Sequence, residues 1–190
     1  MSSPPKDASA TAAISWYRGL PAFAAGILWI VFLYTHPRSI YLQHTIAASP
    51  LLPAMGTAML LAVGDLRARA RRGREFLDEA FLFLAALPGM ALITVYLLHF
   101  PGLALPAFLA TADWPILMTF PGIMLCGSVL ARRRLLPSWN WLPALVGLSL
   151  PAGLFVFQLG HPSLALGVAM TPAAGWLVVA AACRQPEAAD

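Results

Sequence analysis

The chain has 190 residues, of which 59% are hydrophobic and only 11% are charged, and its mean hydropathy is +0.74. A soluble domain carries about 25% charged residues, so this chain lacks the polar shell that would cover a core in water. The pI of about 9.6 does not indicate a nucleic acid partner, because the arginines lie in short blocks beside apolar stretches. Composition therefore predicts the lipid bilayer as the first partner.

Six apolar stretches are long enough to cross a bilayer, which needs about 20 helical residues. In chain order they lie at about Ser15–Thr35, Thr45–Gly64, Glu79–His99, Asp113–Ala131, Trp141–Leu159 and Ser163–Cys183. Proline and glycine inside them are compatible with membrane helices, since neighbouring helices satisfy the backbone groups that they free. The predicted fold is all-α, a polytopic membrane protein whose six transmembrane helices form three hairpins.

The expected domain organisation follows from these stretches. Residues 14–184 form the transmembrane domain, and residues 185–190 form a short cytoplasmic tail. Residues 1–13 are small, polar and proline-rich, which is typical of disorder. His36, His99 and His161 recur at a nearly constant interval, which indicates either three duplicated hairpins or the regular length of membrane helices joined by short loops.

The basic residues predict the orientation. Only Arg38 lies in a connection on one side, whereas the other eleven basic residues lie on the opposite side: Lys6, Arg18, Arg67, Arg69, Arg71, Arg72, Arg74, Arg132, Arg133, Arg134 and Arg184. By the positive-inside rule both termini are cytoplasmic. The high alanine, arginine and leucine content indicates a bacterial inner membrane. Four acids flank the first arginine block, where we expect them to form ion pairs: Asp65, Glu75, Asp78 and Glu79.

All four histidines are predicted at the outer face. His36, His99 and His161 end apolar stretches at or near a proline, His44 opens the next stretch, and Asp113 is the one acid predicted there. The outer ends of six packed helices, each about 10 Å across, lie close enough for these five residues to converge. Imidazole and carboxylate bind zinc and copper, and imidazole binds haem iron. The five residues are therefore a candidate metal site, with copper or haem as the candidate cofactor.

The alternative is that these histidines cap helix ends and bind water at the interface. Their spacing matches no specific metal motif, since no helix carries two histidines one turn apart. We leave both interpretations open.

Three short segments carry a family resemblance. They are Leu42-Gln43-His44 with Ala47-Ala48-Ser49-Pro50-Leu51-Leu52, then Leu87-Pro88-Gly89-Met90, then Asp113 with Met118, Pro121 and Gly122. They resemble the CtaG-type cytochrome-oxidase assembly proteins, bacterial multi-pass membrane proteins thought to handle copper. Ile40 stands where that family has the first histidine of its turn, and Trp114 where it has a glutamine. The resemblance implies a role in copper handling for His44 and Asp113.

Three functions fit the sequence. The first, which we favour, is a non-enzymatic accessory or assembly protein of a respiratory, oxidase-type complex, with an outer-face metal site and other membrane subunits as partners. The second is a structural subunit or scaffold without metal, packed through small residues such as Gly153, Gly160 and Gly167. The third is an enzyme or carrier acting on a lipid or quinone at the outer leaflet, with Asp113 and a histidine as acid and base.

Overall fold

The computed structural model describes residues 17–36, 49–70, 75–99, 113–136 and 139–185. In these ranges the chain forms helices and no strand, which confirms the predicted all-α class. The helices are α1 (Leu20–Thr35), α2 (Leu51–Arg69), α3 (Phe76–His99), α4 (Asp113–Arg133), α5 (Leu142–Gln158), α6 (Pro162–Ala169) and α7 (Thr171–Arg184). The predicted N-terminal tail and His44 lie outside the described residues.

Four helical segments within the described ranges are long and apolar enough to cross a bilayer: α2, α3, α4 from Trp114, and the run Pro162–Arg184 that α6 and α7 form together. The remaining two, α1 and α5, are apolar but have only 16 and 17 residues. At 1.5 Å per residue they measure about 24 and 26 Å, less than the roughly 30 Å of a hydrocarbon core. The molecule is thus built like a multi-pass membrane protein.

Glycine and proline set several helix ends. Gly19 has φ 78°, in the left-handed region, and Pro21 occupies the first turn of α1, so the predicted first span is divided at Gly19. At the end of α5, Gly160 has φ 82°. The backbone N–H of Gly160 donates to the Phe157 carbonyl, and that of His161 donates to the Val156 carbonyl. This is a Schellman cap, so Gly160 ends a helix and is not a packing residue.

The sixth predicted span, Ser163–Cys183, coincides with the apolar run Pro162–Arg184. Within this run, α6 and α7 are separated at Met170. Pro172 has no N–H, so the carbonyl of Val168 lacks its partner four residues later. The Thr171 hydroxyl replaces that donor at 2.8 Å. The indole N–H of Trp29, on α1, donates to the neighbouring Ala169 carbonyl, also at 2.8 Å. Side chains therefore satisfy the backbone at this interruption.

The C-terminal helix lies at the centre of the described bundle. Consecutive helices from α1 to α6 contact their neighbours in turn, and α7 contacts α1, α2, α4 and α5. The buried residues of α7 are mostly small, including Ala173, Gly175 and Ala180, which lets four neighbours approach it closely. Trp29 and Trp176 are buried in the core between the helices.

Glycines make the closest helix contacts. A Cβ atom added to Gly56 would lie 2.5 Å from the Gly89 carbonyl oxygen, and one added to Gly89 would lie 2.8 Å from the Gly56 oxygen. Gly127 of α4 packs in the same way against the backbone nitrogen of Ala144 in α5. These contacts, rather than Gly160 and Gly167, are where small residues bring helices together. Gly153 is buried, whereas Gly160 and Gly167 have no atom within 4 Å of an added Cβ.

Candidate functional site

A cluster of ion pairs joins three helices at one end of the bundle, which we call the basic end. It comprises the last turn of α2, the first turn of α3 and the last turn of α4 (Arg67, Glu75, Asp78, Glu79, Arg132 and Arg133). Acidic side chains in the first turn of α3 and arginines in the last turns of α2 and α4 also match the helix dipoles. The end of α2 and the start of α3 are close in sequence, whereas the end of α4 is brought to them by the fold.

Asp78 is at the centre of the cluster and is fully buried, with 0% exposure. The Arg132 Nε atom donates to its Oδ1 at 3.1 Å, and the Arg133 Nε atom donates to its Oδ2 at 2.6 Å. The expected partner of Asp78 was the first arginine block, which is adjacent in sequence, but its ion-pair partners among the described residues come from the second block. The charges in the sequence predict that Asp78 pairs with an arginine at this end of the bundle. The packing of the helices decides which arginine it contacts.

Further contacts at the basic end involve the other helices. Arg67 Nε donates to Glu79 Oε2 at 3.0 Å, so pairing with the first arginine block is confirmed for Glu79. The backbone N–H of Gly19 donates to Asp65 Oδ2 at 3.0 Å, and the Arg184 guanidinium lies 5.8 Å from the centre of the Phe23 ring. The starts of α1 and α3 and the ends of α2, α4 and α7 therefore share one end of the bundle.

The described histidines lie at the opposite ends of their helices. His36 caps α1, stacks on Phe32 with ring centres 5.1 Å apart, and has its Nδ1 atom 2.8 Å from the Thr35 hydroxyl. His99 is the last residue of α3, and His161 precedes α6; both are exposed. Asp113 begins α4. The predicted one-sided placement of His36, His99 and His161 agrees with these helix directions.

A converged metal site stays a prediction. Within the described ranges, no three histidine, cysteine, aspartate or glutamate side chains come close enough to hold a metal ion. His44 and the side chain of Asp113 lie outside those ranges. The same limit applies to the predicted pairing of Asp113 with a histidine as acid and base. Of the five candidate residues, the structure thus places three side chains, at helix ends.

A polar contact inside the bundle links α5 to α7. The hydroxyls of Ser149 and Thr171 lie 2.5 Å apart, and the Ser149 hydroxyl also donates to the Val146 carbonyl at 2.6 Å. Together with the Trp29 contact to Ala169, this satisfies backbone groups around the interruption before α7. These groups are all uncharged, so their evident role is to join helices in a medium without water.

Trp29 offers a direct test of that role. We expect Trp29→Phe to lower the free energy of unfolding by about 1–3 kcal/mol beyond its loss of volume, because the buried Ala169 carbonyl loses its donor. Trp176→Phe is the matched control, since its buried indole N–H has no hydrogen-bond partner among the described residues. Denaturant unfolding in detergent micelles measures both. Equal losses in the two variants would show that the Trp29 hydrogen bond contributes nothing.

Grooves open between neighbouring helices of the described ranges. One, of about 260 Å³, lies between α2 and α3 beside the Arg67–Glu79 pair. Another, of about 350 Å³, lies between α3 and α4 and is lined by apolar residues that include Pro88, Trp114 and Pro121. Sequence reasoning missed both. Gly64 and the opposite charges of Arg67 and Glu79 were visible in the sequence, but only the packing shows that they line one groove.

Comparison with protein-family models, with curated proteins and with solved structures finds no match to this chain. The resemblance to oxidase assembly proteins therefore rests on the three short sequence segments that carry it.

Proposed function

We propose that this chain is a non-catalytic integral membrane protein that crosses a bacterial inner membrane six times, with both termini in the cytoplasm. The observation that carries the proposal is that its described carboxylates make contacts that join helices. The four described carboxylate side chains, Asp65, Glu75, Asp78 and Glu79, all contact groups at the basic end and connect helices there. Such pairing stabilises the arrangement of helix ends and leaves these acids engaged in structure.

The six crossings are supported by how the two short helices sit. α1 starts where α2 and α7 end, as the contacts of Gly19 with Asp65 and Ala180 indicate. α5 starts where α4 ends, with Ala144 against Gly127. Both run beside longer helices, and a bilayer accommodates a helix a few ångströms short by local thinning or by the flanking residues.

Cysteine labelling tests this topology. We expect Phe76→Cys, at the basic end, to react with a membrane-impermeant maleimide only after the cells are opened, and Leu159→Cys, at the other end, to react in intact cells. Phe76 and Leu159 are exposed, and Cys126 and Cys183 are buried, so the unmodified chain serves as the unreactive control. Labelling of both variants from the same side would rule out this topology.

Within this framework we propose a role as accessory or assembly component of a respiratory, oxidase-type complex. Support comes from the resemblance at Gln43-His44 and Asp113 and from the histidines at helix ends away from the arginines. Deletion of the gene should lower the haem difference spectrum and the oxygen consumption of isolated membranes, and the wild-type chain should restore both. Unchanged oxidase levels after deletion would remove this role.

Metal binding at the outer face is tested by a separate measurement. If copper or another metal binds at the outer face, protein purified with that metal supplied should retain it, and His44→Ala should release it. A scaffold without metal, the second candidate, instead predicts that His44→Ala restores oxidase levels as well as the wild type does. The ion pairs that connect α2, α3 and α4 favour this scaffold as the alternative.

A further inference from the structure

The groove between α2 and α3 has a geometric cause. The backbones of the two helices are in contact at Gly56 and Gly89, where they leave no room for a Cβ atom. Two turns further along α2, Gly64 has no atom within 4 Å of an added Cβ. The helices therefore separate toward the basic end, and the missing side chain of Gly64 deepens the groove of about 260 Å³ between them.

The groove is amphipathic along its length. Its walls are apolar where they face the middle of the bundle, with Leu60 and Val63 from α2 and Leu82 and Ala86 from α3. Arg67 and Glu79 stand at its basic end. From Arg67 to Leu60 is seven residues, or about 10 Å along a helix at 1.5 Å per residue. A slot of that length and lining accommodates part of a hydrocarbon chain.

The mouth of the groove presents one charge of each sign. The Arg67 and Glu79 side chains are 60% and 34% exposed, and their Nε and Oε2 atoms lie 3.0 Å apart. A purely anionic headgroup would bind Arg67 but would be repelled by Glu79. A headgroup with both a phosphate and an ammonium group complements both side chains, since arginine binds phosphate oxygens and a carboxylate binds an ammonium.

We propose that this groove binds one zwitterionic aminophospholipid of the phosphatidylethanolamine type. The phosphate contacts Arg67, the ammonium contacts Glu79, and one acyl chain lies along Gly64 between Leu60 and Ala86. The inference rests on the bilayer placement in the proposed function but not on the oxidase role or on any metal.

Native mass spectrometry in a mild detergent tests the site, with phosphatidylethanolamine and phosphatidylglycerol supplied in equal amounts. We expect one retained phosphatidylethanolamine per chain. Gly64→Leu should fill the groove and lower its retention by about tenfold, which corresponds to the burial of about two methylene groups of the acyl chain. Gly167→Leu is the matched control, because Gly167 is also a helix glycine with open space around an added Cβ, and it should retain lipid like the wild type. Equal retention in Gly64→Leu and the wild type would overturn the proposal.

Charge variants test the headgroup. Glu79→Gln should shift the preference toward phosphatidylglycerol, because the repulsion of an anionic head is removed, whereas Arg67→Gln should weaken retention of both lipids. No change of preference in Glu79→Gln would refute the ammonium contact and with it the proposed lipid class. The maleimide labelling of Phe76→Cys and Leu159→Cys reports bilayer topology separately, so a failed lipid site and a failed topology are distinguishable.

Discussion

Asp78→Asn is expected to lower the free energy of unfolding by about 3 kcal/mol, measured by denaturant titration in detergent micelles. Breaking a buried ion pair costs about 3–5 kcal/mol because it leaves a charge without its partner. We expect the lower end of that range, since the Arg132 and Arg133 side chains remain 38% and 19% exposed and water can screen them. The Asp78 side chain itself has no exposure, so in the native chain its carboxylate is stabilised by the two arginines and not by water.

Glu75→Gln is the control for this prediction. Glu75 pairs with the same Arg132, but its side chain is 65% exposed, and exposed pairs contribute about 0–1 kcal/mol. Each variant removes one carboxylate charge from the same cluster, at positions three residues apart. If they cost the same, burial of Asp78 does not determine the stability of the basic end, and the cluster is a surface feature.

The second large effect is expected at the contact between α4 and α5. Gly127→Ala should lower the free energy of unfolding by about 3 kcal/mol, near the upper end for overpacking a tight interior. The added methyl would overlap backbone atoms of Pro143 and Ala144, and backbone cannot move aside as a flexible side chain can. Helix α5 would have to shift as a whole. The thermal unfolding midpoint in detergent should therefore fall together with the free energy of unfolding.

Gly167→Ala is the matched control, with the same chemical change on a helix glycine that has nothing within 4 Å of the added atom. It should be neutral or stabilise by about 0.5–1 kcal/mol, because alanine loses less backbone freedom than glycine on forming a helix. A loss in Gly127→Ala no larger than that in Gly167→Ala would mean that α4 and α5 are not packed as closely as described.

Sequence reasoning succeeded best where local composition sets the answer. The positions of α3 and α4 were predicted to within a few residues. A long apolar run flanked by charged or polar residues determines where a membrane helix begins and ends. Sequence reasoning did not anticipate the interruption of the last apolar run at Met170, before Pro172. A proline is tolerated in a membrane helix when other groups satisfy the freed carbonyl. Here the Thr171 hydroxyl satisfies the Val168 carbonyl, and Trp29, far away in the chain, donates to the adjacent Ala169 carbonyl.

For the candidate site too, one part could be predicted from the sequence and another could not. The sequence placed His36, His99 and His161 at helix ends away from the arginines, and the helix directions agree. Their convergence with His44 and Asp113 depends on how each helix is rotated and on the connecting segments, which hydropathy does not encode. The partner of Asp78 illustrates the same limit, since Arg132 and Arg133 were expected to lie on the same side of the membrane but not against that acid.

By itself the sequence determined the helical class, the approximate course of the apolar segments and the end of the bundle that carries the arginines. Each of these follows from the transfer of short stretches between water and lipid, which is a local property. Only the tertiary structure decided that Gly56 meets Gly89, that Trp29 reaches Ala169 and that a groove opens beside Arg67 and Glu79. The physical reason is that these helices are apolar on nearly every side, so hydrophobicity does not select the face that each one buries.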